Sequence, residues 1–133
     1  MGCWGYGSFD NDDACDWVYE LEVAEDIGPV SEALALALEA DYLDAFHACR
    51  GIAAAEVVAA LMGNPAGNLP EEVKAWVVGK EPPEPALIEK ARRAVTRILE
   101  DSELRELWDE VQDEERMRWQ QEVEDLLRRL GST

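Results

Sequence analysis

At 133 residues and 14.9 kDa the chain is sized for one compact domain, and with 47% apolar residues it has the material for a core. Its 30 acids against 12 bases leave a net charge of −18, which makes it a poor direct ligand for nucleic acid or an anionic membrane. No bilayer-spanning segment is expected, because Glu56 interrupts the best apolar stretch, and no basic residue precedes an apolar run at the N-terminus as a secretory signal would need.

In chain order, residues 1–10 place three glycines among aromatics, which suits an irregular but packed loop. A first helix is expected from about Asp10–Asp12, where Asp and Asn side chains can accept from free N–H groups. Its apolar stripe is Ala14, Trp17, Val18, Leu21 and Ala24, and Gly28 is expected to stop it. Pro29 opens a second helix, with the largely apolar run Val30 to Ala40 buried. After a kink at 41–44, Ala45 to Met62 carries His47, Arg50 and Glu56 as its ionisable groups. A helix so apolar all round belongs at the centre of a bundle.

Gly63-Asn64-Pro65 is the next stop signal, and a short helix on Val73, Trp76 and Val77 ends at Gly79. Residues 81–85 form a stiff Pro-rich connector, too short to divide the chain. Leu87, Ala91, Ala94, Val95 and Ile98 line one face of residues 86–100, with Glu89 placed to support Arg93. Ser102 is an N-cap candidate for a helix on Leu104, Leu107, Trp108 and Val111. A last helix, about 114–130, uses Trp119, Val123, Leu126, Leu127 and Leu130, with Glu124–Arg128 and Asp125–Arg129 as i,i+4 pairs. The polar run Gln112 to Glu115 favours a break between these two. The expected fold is all-α: a single compact bundle of about six or seven helices spanning 1–133, with the glycine and aromatic loop packed on it.

Charge is uneven along this frame. Residues 1–69 hold 13 acids and a single base, Arg50, whereas residues 70–133 hold 17 acids and 11 bases. The segment 11–80 is therefore strongly acidic, and 86–133 reads as mixed-charge helix surface. Asp13, Asp16 and Glu20 share one side of the first helix, with Asp12 beside them. With so few bases nearby, these four are the candidate partner-binding residues, suited to a basic protein surface.

The opening Trp4-Gly5-Tyr6-Gly7-Ser8-Phe9-Asp10-Asn11-Asp12-Asp13-Ala14-Cys15-Asp16-Trp17 resembles the W-G-x-G-x-F-D-N-D-x-A-x-D-[WF] start of a family of small bacterial domains of unknown function. The stretches 53–63, 69–76 and 102–108 are similar to that family as well. The resemblance implies a mostly helical domain and brings no catalytic residues with it. Physically, Gly5 and Gly7 free the backbone so that Trp4 and Phe9 can fold back as anchors. Asp10, Asn11 and Asp12 offer acceptors at the helix start, and Trp17 sits on the core stripe. A cation site on Asp10, Asp12, Asp13 and Asp16 is the alternative for this segment, as the basis of a divalent-cation-dependent enzyme or sensor. The run lacks the glycine and distal Glu of a helix-loop-helix calcium loop.

Glu56 is an acid in the middle of an apolar helix, and an unpaired carboxylate there is costly. It is expected to accept hydrogen bonds from the N-terminal loop, with the Trp4 indole and glycine-loop N–H groups as donors. Arg50, six residues away, is roughly 120° round the helix and a poorer partner. Acid–base catalysis at Glu56 lacks a nucleophile or a second catalytic group. Cys3, Cys15, His47 and Cys49 contain no CxxC spacing for zinc, and an odd cysteine count fits a reducing cytosol. No catalytic residue, metal site or cofactor is expected, and the leading function is a cytosolic, non-catalytic binding protein that docks a basic protein surface, a contact that an inhibitor or immunity-type role would use.

Overall fold

The computed structural model describes residues 7–131, so Trp4 and Gly5 of the opening motif, and Cys3 and Tyr6 with them, lie outside the described residues. Within that span the chain forms seven helices and no strand: α1 Asp12–Val23, α2 Gly28–Glu39, α3 Ala45–Leu61, α4 Glu71–Val77, α5 Pro85–Glu100, α6 Glu103–Asp109 and α7 Asp113–Arg129.

α3 is the axis of the bundle and packs against all six other helices. Its residues Ile52 to Ala59 are buried without interruption, Glu56 included. Small side chains let the neighbours come close. A Cβ on Gly51 would meet Ile98 Cδ1 of α5 at 3.1 Å and Ala37 Cβ of α2 at 3.2 Å, so α2, α3 and α5 meet across this glycine.

The helix stops follow from backbone chemistry. Gly63, Gly79 and Gly131 all have positive φ just past the ends of α3, α4 and α7, where a side chain would be strained. At the first of these, the N–H of Asn64 bonds the carbonyl of Ala59 and that of Gly63 bonds Ala60, which satisfies two free carbonyls of α3. The end of α2 is closed differently. Arg97 of α5 donates from Nη1 to the carbonyls of Ala37 and Leu38 and from Nη2 to that of Asp41.

α1 ends earlier than its apolar stripe suggests. Ala24 is already extended, four residues before Gly28. Asp26 explains the early stop: its Oδ1 accepts from the N–H of Gly28 at 2.9 Å, an Asx-type turn that competes with helix. Trp76 of α4 then takes the freed carbonyl of Ala24 through its indole N–H, at 3.1 Å. Pro85 begins α5 rather than ending the connector, as the fixed φ of proline permits at a first turn.

α6 and α7 are separate helices. Trp108 and Trp119 stack with ring centroids 6.1 Å apart and planes within 11°. On one straight helix, residues 11 apart would be separated by roughly 16 Å, so the stack requires α7 to fold back on α6. Ser102 caps α6, accepting from the N–H of Arg105 and donating to the carbonyl of Ile98. Two expected surface pairs are re-partnered by one residue: Glu89 binds Arg92 instead of Arg93, and Arg128 binds Asp125 instead of Glu124. Both i,i+3 and i,i+4 neighbours are within reach on a helix, so spacing alone does not choose between them.

Candidate functional site

The loop before α1 is held by its own polar side chains. The N–H of Gly7 donates to Asp10 Oδ2 at 3.1 Å, which turns Asp10 back into the loop. Asn11 is the N-cap of α1 and accepts from the N–H of Ala14 at 2.7 Å. A Cβ on Gly7 would meet the Asp10 carboxylate at 2.7 Å, so a side chain here would make that carboxylate shift from its bond to the Gly7 N–H. Phe9 packs against the core, and Trp17 is buried in it.

Glu56 ties this loop to the bundle. Only 2% exposed, it accepts from the Ser8 hydroxyl at 2.6 Å and from both terminal nitrogens of Arg129, Nη1 at 2.8 Å and Nη2 at 3.2 Å. The expected role of Glu56 as an anchor for the loop is therefore met by Ser8, while the Trp4 indole lies outside the described residues. Arg129 is the partner that spacing along α3 could not show. Burial works against the Arg129 cation, but the hydrogen bonds and charge of Glu56, then of Asp125, outweigh it and raise its pKa. Asp125 Oδ2 accepts from Arg129 Nε at 2.8 Å, and this bond holds the Asp125 carboxyl below the usual carboxylate range. The result is a clasp that joins the N-terminal loop, α3 and α7. Its acceptor oxygens are occupied, as befits a structural anchor.

The outer face of α1 is different in kind. Asp12, Asp16, Tyr19 and Val23 recur at i, i+4, i+7 and i+11 and are all exposed, Tyr19 by 69% and Val23 by 84%. Asp13 flanks this stripe. Partial burial, together with Asp16 and Asp12, pushes its carboxyl above the usual range, and Arg50 pulls it back down. Glu20 corrects the picture of an unopposed acid row, since Arg50 of α3 reaches across and donates to it at 2.6 Å. The same guanidinium lies over the half-exposed ring of Phe46, 5.0 Å from its centroid. The face therefore continues from α1 onto the start of α3, where Asp44 caps the helix and accepts from both His47 N and Nδ1 at 2.8 Å.

Of the four candidate partner-binding acids, Asp12, Asp13 and Asp16 stand at the surface without an ion pair among the described residues, and Glu20 is paired. Tyr19, Val23 and Phe46 were missed from sequence. The signal for the first two is their spacing from Asp12 and Asp16, which places them opposite the buried stripe. Among the described residues no three or more His, Cys, Asp or Glu side chains come together to hold a metal ion, so Asp10, Asp12, Asp13 and Asp16 are not gathered at one point. Cys15 donates to the carbonyl of Phe9 at 3.4 Å, and burial, then Asp12 and Asp16, push its thiol up. No helix among the described residues is long and apolar enough to cross a membrane.

Comparison with curated proteins and with solved structures gives no match. A family model described as a domain of unknown function, DUF4259, matches residues 2–122. The matched region takes in the opening motif, all of α1 to α6 and the first part of α7, and it ends before Asp125 and Arg129. The chain belongs to this family of domains of unknown function, DUF4259.

Proposed function

We propose that this domain is a non-catalytic binding module of the bacterial cytosol that docks a basic protein surface through the outer face of α1. An inhibitor or immunity role fits such a contact. The stripe of Asp12, Asp16, Tyr19 and Val23 carries the reading, because it combines unpaired charge with exposed apolar groups along three turns of a rigid helix. Exposed tyrosine is a favoured anchor in protein interfaces, and complementary charge raises the rate of encounter. Tyr19 and Val23 add exposed apolar surface beside these acids, which a protein contact would cover. Two copies of this face would repel each other, so the fitting partner is a different, basic protein. The odd count of three cysteines accords with a reducing compartment.

The test is affinity capture at low salt, followed by titration of the recovered protein against charge-reversal variants. A basic partner should bind at least tenfold more weakly to Asp12→Lys/Asp16→Lys and to Tyr19→Ala, and should be released as salt rises. Binding that withstands both salt and charge reversal would refute the proposal.

A further inference from the structure

Away from the acidic face, a groove of about 610 Å³ opens where the starts of α2 and α5 meet the ends of α3 and α4. Small-molecule sites commonly fall between about 300 and 1,000 Å³. Its walls are largely apolar: Ile27 from the α2 start, Leu61 from α3, Trp76 from α4, Pro82 and Pro83 from the connector, and Leu87 from α5. The Trp76 ring is fixed by the indole bond to Ala24, so this wall is preformed.

The polar groups in the groove are unusual for this chain. The sequence has three lysines, Lys74, Lys80 and Lys90, and two of them line this one groove. Lys74 pairs with Glu71, but neither Lys80 nor Lys90 enters a salt bridge among the described residues, in a chain with 30 acids. Lys80 lies over the Trp76 ring, 4.6 Å from its centroid, and half-buried Lys90 donates to the Ser31 hydroxyl at 3.2 Å. α5 also begins at the groove without a side-chain cap, so the positive end of its dipole adds to the two ammonium groups, whereas the first N–H of α2 is already taken by Asp26. Glu81 and Glu84 also line the groove, both exposed, and oppose a multiply charged anion more than a singly charged one.

We propose that this groove binds a small amphiphilic carboxylate, with Lys80 and Lys90 receiving the carboxylate and the Trp76, Leu61 and Leu87 wall receiving its apolar body. The site is independent of docking through α1. Calorimetric titration of the full chain with decanoate, decan-1-ol and decyl phosphate tests it. Decanoate should saturate a single site, and the alcohol and the phosphate ester should each bind at least about tenfold more weakly. Lys80→Met and Lys90→Met keep the aliphatic stems, and the double variant should lose decanoate affinity by at least about tenfold while melting as the wild type does. Non-saturable decanoate binding, equal affinity for the alcohol, tighter binding of the phosphate ester, or undiminished binding by the double variant would each overturn the assignment.

Discussion

Replacing Glu56 by Gln changes one atom and probes the clasp directly. The amide keeps the shape of the side chain and one acceptor, but turns an NH2 group towards donors that need an acceptor. In the wild type those donors are Arg129 Nη1 and Nη2 at 2.8 and 3.2 Å and the Ser8 hydroxyl at 2.6 Å. Breaking a fully buried ion pair by removing one partner costs about 3–5 kcal/mol. Here Arg129 is 16% exposed and keeps Asp125, so its charge is not left wholly unpaired. A loss of about 2–3 kcal/mol is the expected middle ground. For a domain of this length that lowers the melting temperature by roughly 10 °C. Thermal melts of Glu56→Gln, Arg129→Met and the double variant measure both the loss and its coupling. The double variant should be less destabilised than the sum of the two singles by at least about 1 kcal/mol. A Glu56→Gln melt within about 2 °C of wild type, or strictly additive losses, would refute the clasp as the anchor of the loop.

Other outcomes follow from the same coordinates. Gly51→Ala gains helix propensity but forces contacts of 3.1 and 3.2 Å on Ile98 and Ala37; in chemical denaturation the crowding should win by about 1 kcal/mol. The Glu122 carboxyl is raised, first by burial and then by Asp125 and Glu56, with Arg129 opposing. A raised folded-state pKa contributes stability below the unfolded pKa and loses it as pH rises through the folded one. Glu122→Gln should therefore melt higher than wild type at pH 7, and the gain should vanish on acidification. Tyr42 donates to Glu106 at 2.8 Å, and that hydrogen bond, with minor help from burial and nearby acids, pushes its phenol up to about 12. Ultraviolet titration should find one tyrosine ionising near that value, and Glu106→Gln should return it towards the ordinary range.

Much of the fold was legible because helical periodicity and capping chemistry are local. Ala14, Trp17, Val18 and Leu21 mark the buried side of α1, and Asn11 and Ser102 are caps at the positions their side chains favour. Glu56 stood out as an acid among alanines and valines, which marked it as an anchor for the N-terminal loop without showing its ionic partner. Arg129 lies 73 residues further on, and in sequence it reads as an ordinary surface member of an i,i+4 pair with Asp125. Only the packing of α7 beside α3 makes it the partner of Glu56. The end of α1 misled for the opposite reason: Ala24 continues the apolar spacing, while a local side-chain bond from Asp26 decides the stop. The groove draws its walls from four helices and a connector, and no single stretch of sequence contains its pattern.

The claim that α1 presents a docking face is tested most directly by hydrogen–deuterium exchange of the domain alone and bound to its captured basic partner. Slowed exchange should map to α1 between Asp12 and Val23 and to the start of α3 around Phe46, and should fade as salt is added. Protection confined to α5 to α7, with α1 exchanging as in the free domain, would contradict it.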